Sequence, residues 1–302
     1  MKKTLREYIS EAENKKVAIG HFNISDIAGL KAIFSAAYEI GSTSSPDKSF
    51  DQQIPVIIGV SEGEANFIGH KQAAALVKSL REEYDFPIFI NADHHKSLES
   101  IKKAIDAGFD AVLFDAGKLS LEENILKTKE VVNCVKFSGK NIIVEGELGY
   151  IGSSSVILEG IPEGANVNKE DLTKSEDAAR FVKETGVDLL APAVGNIHGM
   201  FKNMPNPAID IERIKALREA AGIPMVLHGG SGITDSDFIK AIDAGIGIIH
   251  INTEIRLAWR QGIEKAIKEN PNEIVPYKIL PFAVEEVKKV VSQRLKLFNK
   301  II

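Results

Sequence analysis

The sequence of 302 residues contains only one cysteine, Cys134, so the chain has no disulfide framework. Cys134 lies in an apolar stretch of helical period, where a lone thiol acts as a small hydrophobic side chain. The pattern therefore predicts a buried, structural thiol at this position.

The chain also lacks a long apolar run, a secretory signal and an excess of basic residues. No apolar stretch approaches the roughly 18 residues of a membrane span. Charged residues interrupt the first 16 positions, where a signal peptide needs an apolar core. The formal net charge is −5, and no basic stripe is available for nucleic acid or an anionic membrane. We therefore expect a cytoplasmic protein whose partners are small molecules, with no nucleic acid and no membrane among them.

The sequence does contain a regular alternation of short β-branched runs with segments of helical period. Eight such units can be counted, and this alternation is typical of parallel strands joined by crossover helices. The predicted strands are residues 17–22, 55–60, 87–92, 111–115, 142–147, 189–193, 224–228 and 247–252. The predicted helices are residues 27–40, 70–84, 98–107, 121–137, 176–184, 209–221, 235–244 and 255–269. Left-handed C-caps are predicted at Gly108, Gly186, Gly222 and Gly245.

Eight β-α units predict an α/β fold of the (β/α)8 TIM-barrel type. An open doubly wound sheet is the alternative, but residues 21–25 do not form the glycine-rich turn that binds a dinucleotide in such a sheet. Loops are predicted at residues 41–54, 152–175 and 200–208, the second of them an active-site lid. We expect one domain over residues 1–302, with an N-terminal helix over 1–16 and a C-terminal helical extension over about 279–302.

Polar side chains collect where the predicted strands end, and the catalytic residues of TIM barrels lie at those ends. These positions are Asn23, Ser61, Asp93, His94, His95, Asp115, Glu145, Glu147, His198, His228, His250 and Asn252. Three imidazoles from separate strands can supply three nitrogen ligands and leave a fourth position open, as in catalytic zinc sites. We therefore predict that His94, His198 and His228 bind zinc, whereas His21 and His70 have structural roles.

The acidic residues at these strand ends are open to two interpretations. Asp93 either transfers a proton of a substrate hydroxyl or orients a ligand imidazole. Glu145 and Glu147 are two residues apart and point to the same side of their strand, where buried carboxylates need a cation or hydrogen-bonding partners. A second cation or a hydrogen-bonded anchor is therefore expected.

A glycine-rich segment, residues 228–232 (His-Gly-Gly-Ser-Gly), follows the seventh predicted strand. Its backbone N–H groups can surround a phosphate. The loops after strands seven and eight bind phosphate in many barrels, so the segment predicts a phosphate site.

These motifs resemble the class II fructose-bisphosphate and tagatose-bisphosphate aldolase family over nearly the whole chain. The matching segments are residues 22–23, 55–58 with Ser61, 92–95 (Ala-Asp-His-His), 144–149 (Val-Glu-Gly-Glu-Leu-Gly), 185–191 leading to Gly195 and 198–199, 227–232 and 253–254. The resemblance implies that His94, His198 and His228 hold catalytic zinc. It further implies that Asp93 transfers the proton of the substrate hydroxyl group next to the carbon–carbon bond that is cleaved.

The resemblance also assigns binding roles to further positions. It implies metal-binding positions at Asp115 and Glu147, and phosphate or cation positions at Gly199, Lys202, Gly229, Ser231 and Thr253. The expected substrate-binding set also includes Asn23, Ser61, Gly230, His250, Asn252 and Arg256. Arg256 matches an arginine with which some family members reach the distal phosphate in a neighbouring subunit's site, which implies a homodimer or homotetramer.

The chain departs from the family at three places. The family usually has histidine where this chain has Asn91, and asparagine where this chain has His250, which bears on the substrate. The lid has Gly-Ser-Ser-Ser at residues 152–155 in place of the usual Gly-Gly and acidic pair. Glu159 and Glu163 are the remaining catalytic candidates for a proton shuttle there.

The resemblance implies a zinc-dependent lyase of glycolysis or related carbohydrate metabolism, with space for a second divalent or monovalent cation. Its expected reaction cleaves a ketose bisphosphate, first of all fructose 1,6-bisphosphate, into dihydroxyacetone phosphate and an aldehyde such as glyceraldehyde 3-phosphate. No lysine lies in the predicted strands, so a Schiff base is not expected. The alternatives are an aldolase for tagatose bisphosphate or another phosphorylated ketose, a sugar-phosphate epimerase, and a non-catalytic metal-binding barrel.

Overall fold

The computed structural model describes residues 3–43, 53–152, 155–202 and 204–301. Its strands are β1 (Ile19–Asn23), β2 (Val56–Ser61), β3 (Ile88–His95), β4 (Ala111–Phe114), β5 (Ile143–Leu148), β6 (Ile157–Leu158), β7 (Leu189–Pro192), β8 (Met200–Phe201), β9 (Met225–Leu227) and β10 (Ile246–Ile251). Its helices are α1 (Leu5–Lys15), α2 (Ile27–Thr43), α3 (Glu62–Ile68), α4 (His70–Tyr84), α5 (Leu98–Ala107), α6 (Leu121–Ser138), α7 (Ser175–Thr185), α8 (Ile211–Ala221), α9 (Asp235–Asp243), α10 (Thr253–Glu269) and α11 (Pro276–Phe298).

Eight parallel strands close into a barrel in the order β1-β10-β9-β7-β5-β4-β3-β2. This confirms the predicted (β/α)8 TIM barrel with additional terminal helices. The barrel strands are buried along almost their whole length, as expected when helices cover one face of a parallel sheet and side chains fill the other. The short strands β6 and β8 pair with each other outside the barrel. None of the helices in the described ranges has the length and apolarity that crossing a membrane requires.

The side chains inside the barrel form layers. The lowest layer is apolar and consists of Ile19, Ile57, Phe89, Ala111, Ile143, Leu189, Val226 and Ile248. Leu5, Ile9 and Ala12 of α1 pack on this layer, and α1 begins with a capping box between Thr4 and Glu7. The helix therefore closes the amino-terminal end of the barrel. Because strand side chains alternate, the residues two positions further along each strand form the next layer.

The outer core lies between the strands and the surrounding helices. The helix α11 packs against α10 and α2. Gly262 permits this close packing, since a Cβ there would lie 2.5 Å from the Cα of Ala283. Val287, Val291 and Phe298 of α11 are fully buried, and each such side chain contributes about 1.5–3 kcal/mol to the free energy of unfolding.

Several predicted boundaries differ from the structure. The first strand begins at Ile19, because the backbone N–H groups of residues 17 and 18 donate to α1 and to Phe298. Prediction missed α3, and it placed loops over 152–175 and 200–208, where β6 and β8 form. Of the loop predicted at residues 41–54, the first three residues belong to α2, which continues to Thr43, and residues 44–52 lie outside the described part. Residues 153–154 and 203 of the other two predicted loops also lie outside it.

Two smaller predictions also need correction. Gly108, Gly186 and Gly222 are left-handed C-caps as predicted, but α9 ends at Asp243 with Ala244 as a right-handed C-cap, and Gly245 follows with φ of 118°. Cys134 is only partly buried, and it packs against the outer core from the surface of α6.

Candidate active site

A cavity of about 300 Å³ opens where the barrel strands end. The residues predicted from sequence that line it are Asn23, Ser61, Asp93, His94, Asp115, His198, Gly199, Gly229, Gly230, Ser231, His250, Asn252, Thr253 and Arg256. These side chains come from both halves of the chain, and the closed barrel brings them together because parallel strands all end on the same side.

Both Asp93 and His94 face the cavity, although neighbouring residues of a regular strand point to opposite sides. The register between β3 and β4 shifts between Ala92 and His95, and His94 has a left-handed backbone with φ of 50°. Such a conformation is unfavourable for a residue other than glycine and is characteristic of functional sites. It turns the His94 ring towards the cavity, while His95 is buried and bonded to Ser100 of α5.

Three imidazoles and one carboxylate converge at the bottom of the cavity. The ligand atoms of His94, Glu147, His198 and His228 all lie within 4.8 Å of one another. Nε2 of His94 lies 2.9 Å from Nδ1 of His228, and Nδ1 of His94 lies 3.4 Å from Oε2 of Glu147. Oε2 of Glu147 and Nε2 of His198 are buried and find no hydrogen-bond partner among the described residues. Orphaned ligand atoms of this kind fit a bound metal ion, because buried polar atoms otherwise have partners.

The electrostatics of the cluster also favour a cation. Burial raises the pKa of Glu145 and of Glu147 to about 8 each, because the loss of hydration outweighs the attraction of the nearby His94. Burial opposes a charge on His94, but Asp93, Asp115 and Glu147 outweigh it and raise the pKa of His94 to about 10. The positive charge of protonated His94 thus balances the negative charge of the acids, as the charge of a metal ion at this place would.

The second carboxylate of β5, Glu145, contacts His228. Its Oε1 lies 2.6 Å from Nε2 of His228, and both side chains are almost fully buried. If Nδ1 of His228 held a metal ion, the N–H at Nε2 would donate a hydrogen bond to Glu145, which would fix the ring orientation. The sequence left two roles open for Glu145, binding a second cation or serving as a hydrogen-bonded anchor. This geometry fits the anchor.

We therefore expect Glu145→Gln to weaken zinc binding by about 10–100-fold, the usual effect of losing a carboxylate behind a ligand histidine. Competition with a chromophoric chelator measures the dissociation constant. Glu264→Gln is the matched control, because Glu264 is an exposed glutamate on α10 paired with Arg260. Equal zinc affinity of both variants would show that Glu145 does not orient the ligand.

Asp93 lies next to the three imidazoles and the carboxylate of Glu147. One of its two carboxylate oxygens is in a position to contact a substrate. Nδ2 of Asn23 donates to its Oδ2 at 2.9 Å. Its Oδ1 has no hydrogen-bond partner and lies 3.4 Å from Nδ1 of His250, longer than an ordinary hydrogen bond. Burial disfavours a charge here, but His94 and His250 keep the pKa of Asp93 well below its usual range. Asp93 is therefore an ionised acceptor that faces the cavity.

The two departures from the family, Asn91 and His250, lie close together in the layer below. The rings of His21 and His250 stack with centroids 3.4 Å apart, and Nδ2 of Asn91 lies 3.2 Å from Nε2 of His21. Gly59 makes space for this stack, since a Cβ there would lie 2.2 Å from Cε1 of His21. His21 thus connects the two changed positions, and the structural role expected for it stays a prediction.

The glycine-rich segment borders the cavity beside α10. Gly229 has a φ of 61°, and a Cβ there would lie 2.2 Å from the backbone oxygen of Ile197, so only glycine fits. Oγ of Ser231 accepts hydrogen bonds from the backbone N–H groups of Asn252 and Glu254. Asn252, the N-cap residue of α10, forms no side-chain cap hydrogen bond of its own, and the helix start borders the cavity at Thr253.

The structure does not bring every predicted residue to the cavity. Lys202 and Glu159 are exposed and line a separate surface depression, and Glu163 lines another beside Tyr150. Arg256 lines the cavity of its own chain, and its predicted role in a neighbouring subunit's site stays a prediction. The sequence reasoning missed several lining residues, namely Glu62, Gly63, Asn66, Lys96 and Ser155.

Comparisons with known proteins agree with this geometry. The profile of a family described as "Fructose-bisphosphate aldolase class-II" matches residues 3–301. A probable fructose-bisphosphate aldolase of Bacillus subtilis (strain 168) is 35% identical over 301 residues, which cover 98% of this chain and 97% of the relative. A 6-phospho-5-dehydro-2-deoxy-D-gluconate aldolase of Bacillus licheniformis is 33% identical over 300 residues, which cover 98% and 94%.

Solved structures give the same result. The crystal structure of the YdjI aldolase from Escherichia coli K12 matches with a TM-score of 0.77 at 31% identity, covering 99% of this chain and 97% of that one. The fructose-bisphosphate aldolase of Campylobacter jejuni shares the fold with a TM-score of 0.79 at 22% identity, covering 98% and 94%. The chain therefore belongs to the class II fructose-bisphosphate aldolase family of lyases.

Proposed function

We propose that the protein is a zinc-dependent aldolase that cleaves a phosphorylated ketose into dihydroxyacetone phosphate and an aldehyde. The observation that carries this proposal is the convergence of His94, His198, His228 and Glu147 beside an ionised Asp93 in one cavity. The glycine-rich segment provides a phosphate site at the edge of the same cavity.

The residues of the cluster fit zinc best among the common metals. Three imidazoles with one carboxylate form a nitrogen-rich set, whereas magnesium and calcium prefer oxygen ligands. Asp115, whose Oδ2 lies 3.7 Å from Nδ1 of His94, is placed to hold a second cation or to support that ligand. A bound zinc ion supplies a Lewis acid that stabilises the negative charge left on the substrate oxygens after the carbon–carbon bond breaks.

The remaining residues position the ketose and move its protons. The phosphate of the dihydroxyacetone part binds at Gly229, Gly230, Ser231 and the N-terminus of α10. Oδ1 of Asp93 accepts the proton of the hydroxyl group next to the bond that is cut, and Asn23 orients the carboxylate for this step.

The proposal is tested with a panel of ketose 1-phosphates and ketose bisphosphates incubated with zinc-loaded protein. We expect release of dihydroxyacetone phosphate from at least one of them and loss of the activity after chelation. Full activity in a metal-free preparation contradicts the metal-dependent mechanism. Absence of dihydroxyacetone phosphate with every sugar contradicts the aldolase assignment and favours a sugar-phosphate epimerase or a metal-binding barrel without catalysis.

We also propose that the segment between β5 and α7 is a lid that brings an acid to the carbon left by cleavage. Glu159 and Glu163 are exposed on this segment, and β6 pairs it with β8, which follows the ligand His198. Glutamine at both positions is expected to slow exchange of the dihydroxyacetone phosphate C3 proton with solvent by about 10²-fold, because an acid–base group is lost. Proton NMR in D₂O measures this exchange. Unchanged exchange would place the proton shuttle elsewhere.

We further propose that the enzyme acts in cytoplasmic carbohydrate metabolism as a homodimer or homotetramer. The apolar side chains beside Arg256 are poorly suited to an interface, since Ile255 is buried and Trp259 donates to Asp26 inside the chain. Exposed apolar side chains near the end of α10 and the start of α11, namely Ile267, Ile274 and Tyr277, support an interface there. Light scattering measures the subunit number.

A further inference from the structure

A buried carboxylate lies directly behind the wall of the cavity. Glu64 is in the first turn of α3 and is only 6% exposed. It forms a capping box with Ser61, in which the Ser61 backbone N–H donates to Oε2 of Glu64 at 2.8 Å. This arrangement fixes the carboxylate, because moving it away would uncap the helix.

The same carboxylate also binds the polar groups of the neighbouring cavity wall. Nη2 of Arg256 donates to Oε1 at 2.8 Å, Nδ2 of Asn23 donates to Oε2 at 3.0 Å, and Oγ of Ser25 lies 3.3 Å from Oε1. With the Ser61 N–H, four donors surround Glu64. The other terminal nitrogen of Arg256 donates to the backbone oxygen of Ser155.

These donors are the groups that a phosphate at this part of the cavity would need. A phosphate with nearly two negative charges binds through guanidinium groups and backbone N–H groups. Here Arg256 and the Ser61 N–H are both bonded to Glu64, and Glu62, a second carboxylate, lines the cavity next to Ser61. Lys96 is 61% exposed and lies 4.0 Å from Asp115. This wall therefore presents little uncompensated positive charge.

The wall and the glycine-rich segment lie at different parts of the cavity rim. In the ring of eight strands, β2 with Ser61 is three places away from β9, which leads to Gly229 and Ser231. Arg256, one turn into α10, extends to the β2 side, where it meets Glu64. The two ends of a ketose bound across the cavity thus meet different environments. The glycine-rich segment is suited to an anion, whereas at the β2 side the charge of Arg256 is neutralised by the carboxylate of Glu64.

We propose that the substrate is a ketose 1-phosphate whose far end carries hydroxyl groups and no second phosphate. This inference rests on the proposed aldolase function and assigns its substrate class. Glu64 determines the specificity, because it occupies the donors that would bind a distal phosphate. Ser61, Glu62, Asn66 and Lys96, which line this wall, are suitable partners for hydroxyl groups.

The test compares fructose 1-phosphate with fructose 1,6-bisphosphate in zinc-loaded wild type and in Glu64→Gln. Glutamine retains the capping box and removes the charge, which leaves Arg256 available to a phosphate. We expect wild type to cleave the monophosphate with a kcat/KM at least equal to that for the bisphosphate. Glu64→Gln should shift the ratio at least about tenfold towards the bisphosphate, chiefly through KM, as one charge-assisted hydrogen bond would.

Two further variants control this result. Glu264→Gln removes a glutamate paired with an arginine outside the cavity and should leave the ratio unchanged. Adding Arg256→Gln to Glu64→Gln should abolish the gain for the bisphosphate. A wild type that prefers the bisphosphate more than tenfold, or a Glu64→Gln variant with an unchanged ratio, overturns the inference.

A binding measurement separates this inference from the proposed function. If neither fructose phosphate releases dihydroxyacetone phosphate, the panel of phosphorylated ketoses decides the aldolase proposal. Calorimetry with the two sugars on metal-free protein still decides the role of Glu64. Tighter binding of the bisphosphate to Glu64→Gln than to wild type supports the inference that Glu64 excludes a distal phosphate. Equal binding to both proteins overturns this inference.

Discussion

Replacing His198 with alanine is expected to abolish zinc binding and aldol cleavage together. Nε2 of His198 is buried without any partner in the described protein, so its removal costs few existing contacts and deprives the metal of one of three imidazoles. Because Lewis-acid stabilisation contributes several kcal/mol to such a reaction, we expect cleavage to fall by at least ~10³-fold. Metal analysis of the purified variant and an assay of dihydroxyacetone phosphate measure the two effects.

The matched control is His70→Ala, which removes a partly exposed imidazole whose Nε2 contacts Ser100 outside the barrel. This variant should retain stoichiometric zinc and cleavage. Thermal unfolding of both variants separates loss of the ligand from loss of the fold. A His198→Ala protein with full zinc content and near wild-type turnover would exclude His198 from the metal site.

The second large effect is expected for Asp93→Asn, which should retain zinc and lower kcat by ~10²–10⁴-fold. An asparagine oxygen can still accept the hydrogen bond from Asn23, so the geometry is retained while the proton acceptor is lost. Cleavage of a ketose 1-phosphate at saturating substrate gives kcat, and metal analysis gives the zinc content.

A partial reaction decides between the two roles that the sequence allows for Asp93. Exchange of the dihydroxyacetone phosphate C3 proton with solvent does not involve the hydroxyl group beside the cleaved bond. If Asp93 moves that hydroxyl proton, exchange in Asp93→Asn should stay within about tenfold of wild type. Equal losses of exchange and cleavage would instead mean that Asp93 acts by orienting His94, whose ring nitrogen lies 3.8 Å away.

Strand periodicity was sufficient to predict the barrel and much of the cavity. Glu145 and Glu147 share a face because they are two residues apart, and His228 and His250 follow apolar runs whose ends meet in any parallel barrel. The position of His94 could not be deduced in this way. Its ring reaches the cavity through a register shift and a left-handed backbone, and these depend on pairing with β4, which is distant in sequence.

The role of Glu64 was missed although a local signal was present. Serine followed three residues later by glutamate is the signature of a capping box, and Ser61 and Glu64 have this spacing at the end of a predicted strand. The signal predicts a helix start but not the bond to Arg256, 192 residues further along the chain. Glu159 and Glu163 stay proposed proton shuttles for a similar reason, since the conformation of an exposed segment is not set by its own sequence alone.

The way in which α1 closes the barrel has a consequence for biosynthesis. A ribosome makes α1 before β10, but the apolar layer that α1 covers includes Ile248 of β10 and is complete only after that strand has been made. β1 pairs with β10, and the N–H of Ala18 donates to Phe298, so segments that are distant in sequence complete each other. A helix of 11 residues is marginal alone in water. The nascent chain therefore exposes apolar side chains of the barrel interior until β10 is made, and exposed surface of this kind is prone to aggregation.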